Sequence, residues 1–218
     1  DKLYDGFAEV LVDDQLIDLF YADEEIALEE EQVVNLHPNQ FLMLKSSANP
    51  KKTALSRFMA PNKPLKLVPQ KWGNISWGIK PRNKEQLFAL DLLMDPAINI
   101  VTLVGKAGSG KTLCAIAAGL QQSFDTSRAE PLYKRVIVSR PVQPLGKDIG
   151  FLPGSLEEKM TPWLAPIQDN LQYLMGDDRA TLEMYMEKKV IEIEALTYIR
   201  GRSISNAFIV IDEAQNLT

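Results

Sequence analysis

The sequence predicts an α/β fold in which a mostly parallel sheet is flanked by helices, preceded by a small β-rich domain. Three observations carry this prediction. An apolar run at 99–104 leads into a glycine-rich turn and then into a helical stretch. A second apolar run at 208–211 ends in two carboxylates, Asp212 and Glu213. Strand-like and helix-like segments alternate between the two runs, which favours parallel strands joined by crossover helices.

The composition is that of a soluble globular protein. Hydrophobic residues make up 45% of the 218 residues and charged residues 24%. No apolar run has membrane-spanning length, and the first residues lack the features of a signal peptide, so we expect a cytoplasmic protein without a membrane partner. The single cysteine, Cys114, has no disulfide partner within the chain and is expected to pack in a helix. The single histidine, His37, has no cysteine or second histidine with which to share a metal.

The net charge of −5 conceals a strong asymmetry along the chain. Residues 1–31 are acidic, with Lys2 as the only cation, whereas residues 45–84 contain ten cations and no acid. Trp72 and Trp77 lie within the basic stretch, and a single nucleic-acid strand could stack its bases on their rings. Two alternatives remain open. The tryptophans could dock a linker onto the core, and the acidic segment could fold back and neutralise the basic one.

Residues 1–68 are predicted to form the β-rich domain, and 69–82 a connector. β-prone runs at 7–12 and 15–20 flank a predicted hairpin turn at Asp13 and Asp14. A solvated loop or short helix is expected from Asp23 to Gln32. Further strands are predicted at 40–45, 53–58 and 65–68.

Residues 83–218 are predicted to form the α/β domain. A helix should begin at Asn83, where Gln86 completes a capping box, and end before Pro96. Further helices are predicted at 111–123, 155–175 and 179–188, strands at 135–139, 190–194 and 208–211, and a glycine-rich loop at 146–154. Pro162 and Pro166 should bend or break the helix at 155–175.

Residues 105–112, reading GKAGSGKT, have the form of a P-loop. Its glycines allow backbone amides to turn onto phosphate oxygens, and the following helix directs its positive end at the same anion. Lys111 supplies a charge for the β- and γ-phosphates, and Thr112 offers a hydroxyl to Mg²⁺. The alternative is a purely structural glycine-rich turn. The candidate nucleotide-binding residues are Gln86, Gly105, Lys106, Ala107, Gly108, Ser109, Gly110, Lys111, Thr112 and Leu113.

Gln86 has two interpretations. It could serve only as a helix cap, or its amide could both donate to and accept from the edge of adenine.

The apolar run at 208–211 followed by two acids is a Walker B pattern. At the end of a buried strand, Asp212 can hold the Mg²⁺ shared with Thr112, while Glu213 orients a water for attack on the γ-phosphate. An activated water beside the nucleotide argues against a phosphotransfer kinase. Lys111, Asp212 and Glu213 are therefore the candidate catalytic residues. Gln215 could couple the γ-phosphate state to the next segment, or could be a hydrogen-bonded loop residue.

These motifs together resemble the PhoH-like ATPases. Beside the P-loop, the resemblance rests on GFLPG at 150–154, YIRGR at 198–202 and IVIDEAQN at 209–216, and it covers residues 80–218. It implies a RecA-like core similar to that of superfamily 1 helicases. The β-rich region is similar to the segment that joins a PIN ribonuclease domain to the ATPase in longer family members, and no PIN domain is visible here.

The resemblance implies Mg²⁺-dependent ATP hydrolysis coupled to RNA binding or unwinding, in a homo-oligomeric ring that is commonly a hexamer. Gln86 would match the adenine-reading glutamine, and Arg140 with Pro141 would contact a single strand. Arg200 or Arg202 would serve as a phosphate sensor or as an arginine finger supplied to a neighbouring subunit.

One departure from the family pattern concerns the sheet. ATPases with a catalytic Glu beside the Walker B Asp place another strand between the P-loop strand and the Walker B strand, and it follows Walker B in sequence. The sequence stops at Thr218, so we expect a truncated portion of a longer protein. Two rival functions remain open: a nucleotide-gated regulatory module that moves no strand, and a DNA-directed helicase.

Overall fold

The computed structural model describes residues 6–27, 35–61, 63–68, 77–125, 127–141, 156–176, 178–199 and 201–217. The chain divides into two compact units, residues 1–71 and 72–218. None of the helices in these described ranges has the length and apolar character needed to cross a membrane.

Among its described residues, the first unit consists of a five-stranded sheet and one helix. In chain order the elements are β1 (Phe7–Val12), α1 (Asp14–Asp23), β2 (Glu25–Ile26), β3 (Gln40–Ser46), β4 (Thr53–Phe58) and β5 (Leu65–Leu67). The sheet order is β1-β3-β4-β5-β2, with β1 parallel to β3 and the other pairs antiparallel. Its buried core includes Phe20, Leu42, Leu44 and Phe58.

The prediction of a strand at 15–20 is wrong, because this run lies within the helix α1. Asp13 is not a hairpin residue but the N-cap, and its carboxylate accepts a hydrogen bond of 2.8 Å from the Gln15 amide. Ile17 and Phe20, three residues apart, are fully buried, whereas Leu19 between them is half exposed. The apolar residues therefore follow the helical period, and the cap fixes where the helix begins.

Several acidic side chains of the first segment neutralise lysines of the basic stretch within this unit. Lys45 pairs with Glu9, and the Lys52 ammonium lies 2.8 Å from Asp14 and 2.7 Å from Asp18. The hydrogen bonds that Lys52 donates to Asp14 and Asp18 raise the pKa of Lys52, and the bond between Lys52 and Asp14 lowers the pKa of Asp14. Part of the positive charge of residues 45–84 is thus already compensated.

The second unit contains a three-stranded parallel sheet that packs against helices. Its elements are α2 (Lys84–Leu93), α3 (Lys111–Ser123), β6 (Arg135–Arg140), α4 (Leu156–Leu174), α5 (Arg179–Glu187), β7 (Ile191–Ala195), α6 (Leu196–Ile199), β8 (Ala207–Ile211) and a 3₁₀ turn (Ala214–Asn216). The strand order is β7-β6-β8. Ile116 and Leu120 of α3 pack in the same core as Val136, Val138 and Leu171.

The helix α4 runs as one element through Pro162 and Pro166, so the predicted break is not present. A proline inside a helix removes a hydrogen bond and costs about 3 kcal/mol. Ile167 and Leu171, four residues apart, are fully buried in the core and stabilise the helix against that loss.

The predicted strand at 99–104 is also wrong for the described residues, since this segment makes no strand ladder. Val101 and Leu103 pack against the core, but Ile100 is 85% and Val104 91% exposed. A strand requires hydrogen-bonding neighbours, and β8 pairs only with β6 among the described strands. The apolar composition of residues 99–104 therefore predicts that part of the segment packs against the core, but it does not predict hydrogen bonding to a neighbouring strand.

The GFLPG segment and the rest of the glycine-rich loop lie outside the described residues.

Candidate nucleotide site

The P-loop and the Walker B pattern meet at one edge of the sheet. The helix α3 begins at Lys111, and Asp212 follows the carboxyl end of β8, where ligands of open α/β sheets bind. The Thr112 hydroxyl donates a hydrogen bond of 2.7 Å to the Asp212 carboxylate, across 100 residues of sequence. The two motifs therefore form a single site.

The loop before α3 has the backbone form that phosphate binding requires. Gly110 caps α3 in the left-handed conformation, with φ of 84°, and Gly108 has φ of 75°. The Lys111 ammonium donates to the carbonyl oxygens of Gly105 and Lys106, at 2.8 and 2.9 Å. The loop holds its own lysine inside its turn, and most of its residues are exposed to incoming ligand. The exposed residues of the loop are Gly105, Lys106, Ala107, Gly108 and Ser109, and Gly110 is partly buried.

Leu113 packs its side chain against the core. Its backbone amide belongs to the first turn of α3, where amides have no intrahelical partner, so the amide is the part available to a phosphate.

Gln86 bridges α2 and the P-loop. Its side-chain carbonyl accepts from the Arg82 amide at 2.8 Å, and its side-chain NH₂ donates to the Ser109 carbonyl at 3.0 Å. Asn83 caps the helix by accepting from the Gln86 amide at 2.8 Å. A Cβ atom on Gly110 would lie 2.9 Å from the Gln86 side-chain nitrogen, so this position favours glycine for space as well as for conformation. The adenine contact stays a prediction, made by a residue that lies against the loop.

Two neighbours hold the Glu213 carboxylate. Arg140, the last residue of β6, places a guanidinium nitrogen 3.6 Å from one carboxylate oxygen. The Gln215 side chain donates to the other oxygen. The Asp212 amide donates 2.8 Å to the Ser139 carbonyl, which fixes the start of this turn against β6. Glu213 itself has φ of 53°, a left-handed conformation that is uncommon for a residue other than glycine.

Arg202 lies against β7 and not against the P-loop residues described above. Its guanidinium pairs with Glu192 at 3.0 Å and Glu194 at 2.6 Å, and Arg135 pairs with Glu192 at 3.1 Å. Burial opposes the ionisation of Glu192, but the hydrogen bonds and charges of Arg202 and Arg135 outweigh it and lower the pKa of this carboxyl. The sensor or finger role of Arg202 stays a prediction, and Arg200 lies outside the described residues.

Trp77 is docked onto the second unit. Its indole N–H donates 3.0 Å to the Leu174 carbonyl, and its ring packs on Phe124 with centroids 5.4 Å apart. This is the docking alternative, and a stacking role for Trp77 stays a prediction. Trp72 lies outside the described residues. Cys114 is buried in the core, and burial raises the pKa of its thiol, as expected of a packing residue.

Thr112 and Asp212 are the residues that fit a Mg²⁺ ion. Hydroxyl and carboxylate oxygens suit this hard cation, which commonly takes one or two protein ligands and completes its shell with phosphates and water. Among the residues that the structure describes, no group of three or more histidine, cysteine or acidic side chains forms a separate metal site.

One close contact between α3 and β8, the elements that carry the two motifs, was not predicted from the sequence. A Cβ atom on Gly119 of α3 would lie only 2.6 Å from the Phe208 ring of β8, so the helix and the strand touch at this glycine. A glycine in the middle of a helix, which carries a penalty of about 1 kcal/mol relative to alanine, was the available signal.

Comparison with known proteins agrees with the geometry. Residues 78–218 match the PhoH-like protein family. Protein PhoH2 of Bacillus subtilis is 43% identical over the whole chain, and the match covers 49% of the length of that relative. Protein PhoH2 of Mycolicibacterium smegmatis is 37% identical over 97% of the chain, and the match covers 46% of the length of that relative. A PhoH-like protein of Mycobacterium leprae is 39% identical over 64% of the chain. The chain thus spans about half the length of its PhoH2 relatives. On the match and the site together, the chain belongs to the PhoH-like family of P-loop ATPase-type proteins.

Proposed function

We propose that the protein couples Mg²⁺-dependent ATP hydrolysis to the binding or unwinding of RNA. The observation that carries the hydrolytic half is the 2.7 Å contact between Thr112 and Asp212, which joins the P-loop to the Walker B strand. Lys111 and Glu213 directly adjoin these two residues in the chain. A phosphate-binding loop, a metal-ligand pair and a further carboxylate are the parts that nucleotide hydrolysis needs.

Each side chain has a distinct task in this reaction. Lys111 exchanges its bonds to the loop carbonyls for bonds to the β- and γ-phosphates. Thr112 and Asp212 hold Mg²⁺, which when bound neutralises charge on the phosphates. Glu213 orients a water towards the γ-phosphate, because Asp212 is committed to the metal.

The RNA half of the proposal is supported by the position of Arg140. This arginine ends β6 at the same sheet edge as the nucleotide site, and its side chain is 23% exposed. Guanidinium groups bind phosphodiesters well, so a strand bound there would lie beside the catalytic carboxylate. We further propose a homo-oligomeric ring with nucleotide between protomers, which the molecular mass of the protein in solution with ATP would test.

The experiment measures ATP turnover of the natural full-length protein with and without single-stranded RNA. We expect RNA to raise turnover, and Lys111→Ala to abolish turnover while leaving RNA affinity intact. Lys134→Ala is the control, because it removes an exposed lysine that precedes β6, at the end of the strand opposite to the P-loop and Asp212. Loss of turnover in both variants alike would contradict the assignment to Lys111. Single-stranded DNA of the same length separates RNA-directed from DNA-directed action.

A second candidate is a nucleotide-gated regulatory module without strand movement. Specific observations favour it: Lys45 and Lys52 are paired with acidic residues, Arg57 is buried, and Trp77 is docked on its own unit. These residues are less available to nucleic acid than the sequence alone indicates. A turnover rate that saturating RNA leaves unchanged would favour the regulatory module.

A further inference from the structure

We propose that Arg140 and Gln215 form a latch on Glu213, and that a nucleic-acid phosphate opens the latch by taking Arg140. The latch denotes these three residues. The inference rests on the proposed ATP hydrolysis and deepens it, since it assigns two positioning residues to the catalytic carboxylate and links them to the bound strand.

Both oxygens of the Glu213 carboxylate face protein donors. One oxygen lies 3.6 Å from the Arg140 guanidinium, and the other accepts from the Gln215 side chain. A carboxylate that orients a water must turn an oxygen to that water. Each oxygen keeps a further lone pair, but the two contacts fix the direction of the carboxylate, so turning an oxygen to a water that lies elsewhere weakens at least one of them.

The latch can open without disturbing the rest of the site. Asp212 is held independently, by Thr112 through its side chain and by Ser139 through its amide. The Glu213 side chain is 40% exposed and that of Arg140 23%, so the pair is partly open to solvent. A partly exposed ion pair at 3.6 Å, longer than a hydrogen bond, makes a small contribution, which a competing anion can overcome.

A phosphodiester is an anion that fits Arg140. A phosphodiester offers oxygens in a geometry that a guanidinium binds bidentately at shorter range than the 3.6 Å ion pair. Once the phosphate neutralises Arg140, the attraction that holds Glu213 is lost. Strand binding and water activation are thus coupled through one arginine, without movement of the sheet.

The test is a steady-state kinetic comparison on the natural full-length protein, with and without a homopolymeric single-stranded RNA. We expect Arg140→Ala and Gln215→Ala each to raise kcat without RNA by about threefold to tenfold, because each removes a weak restraint on Glu213. The KM for ATP should stay unchanged, since neither side chain contacts the P-loop lysine or threonine in the described bonds. Arg140→Ala should also lose the RNA stimulation of kcat, whereas Arg140→Lys, which keeps the charge, should restore a low basal rate.

Arg135→Ala is the matched control. Arg135 lies at the other end of β6, has a similarly exposed side chain and also pairs with a glutamate, but that glutamate is Glu192. Its basal kcat should equal that of the wild type. Melting temperatures show whether each variant folds. If Arg140→Ala does not fold, the basal kcat of Gln215→Ala tests the latch.

Basal rates of folded Arg140→Ala and Gln215→Ala that are equal to or below the wild-type rate overturn the latch. This holds even if RNA stimulates the wild type, in which case the proposed function survives. Turnover that RNA fails to raise in the wild type, together with raised basal rates in both variants, contradicts the RNA coupling and leaves the restraint on Glu213 standing. Absence of turnover from the wild type and all variants contradicts the proposed hydrolysis itself.

Discussion

Replacing Gly119 by alanine should destabilise the second unit, although alanine is the better helix former. Glycine within a helix is less favourable than alanine by about 1 kcal/mol, so helix propensity alone predicts a gain. The added Cβ would lie 2.6 Å from Cδ1 of Phe208, whereas carbon atoms in ordinary contact lie about 3.5–4.0 Å apart. The ring must therefore retreat by about 1 Å, and Tyr133 limits this movement because its ring meets that of Phe208 edge-on at 5.4 Å.

Overpacking of this kind costs about 1–3 kcal/mol, so the net loss in the free energy of unfolding should be about 1 kcal/mol. Urea denaturation of Gly119→Ala, Phe208→Leu and the double variant measures it. In the Phe208→Leu background the alanine should be neutral or stabilising, which gives a coupling energy of about 1–2 kcal/mol. A single variant that is about 1 kcal/mol more stable than the wild type would refute the close contact.

The same substitution should reduce ATP turnover. Gly119 and Phe208 set the spacing of α3 and β8, whose ends carry Thr112 and Asp212. A wider spacing lengthens the 2.7 Å contact between these two side chains and weakens the metal-ligand pair. The double variant should recover part of the turnover.

Three further predictions concern stability. Glu192→Gln should lower the free energy of unfolding by about 1–3 kcal/mol, because it leaves Arg135 and Arg202 facing a neutral group. The folded-state pKa of Glu192 lies below its ordinary value of 4.5. The stability difference between the wild type and the variant should therefore be constant at neutral pH and shrink as the pH falls below that value. A stability difference that grows in acid would show that the pKa of Glu192 is not lowered by folding. Asp13→Ala should destabilise the first unit by about 1 kcal/mol in chemical denaturation through loss of the helix cap, whereas Asp23→Ala at the other end of α1 should be neutral or slightly stabilising, and equal losses would argue against the cap. Trp77→Phe should cost about 1 kcal/mol by removing the hydrogen bond to Leu174, and an unchanged melting temperature would show that the indole is not docked.

Local patterns predicted the elements whose signals lie within a few residues. The N-cap at Asn83, the helix 111–123 and the strand at 53–58 all appear in the structure. The capping box is only half formed, because the Gln86 side chain accepts from the Arg82 amide and not from the Asn83 amide. The Walker B acids also fall at the end of a parallel strand, as the run at 208–211 indicates. In each case the physical cause is local: a side chain that satisfies a helix amide, or an apolar run of strand length.

The elements that were predicted wrongly depend on contacts with distant parts of the chain, or begin at a residue that favours a turn as well as a helix cap. Asp13 favours both a turn and a helix start, and the burial of Ile17 and Phe20 decides between them. Segment 99–104 has strand composition, but a ladder needs a neighbouring strand, which composition cannot reveal.

The candidate site shows the same division. The P-loop and Walker B residues could be assigned from spacing alone, while the two partners of Glu213 could not. Arg140 reaches Glu213 because β6 and β8 are adjacent parallel strands that end at one edge. That adjacency is a property of the sheet order and becomes visible only in three dimensions.

In the proposed reaction, Glu213 activates the water while Lys111, Thr112 and Asp212 hold the nucleotide and its metal. ATP affinity and single-turnover hydrolysis, compared between Glu213→Gln and the wild-type full-length protein, test this division of roles. We expect the variant to bind ATP within about threefold of the wild-type affinity and to hydrolyse it at least about 100-fold more slowly. Hydrolysis by the variant at the wild-type rate, with unchanged affinity, would show that Glu213 does not activate the water.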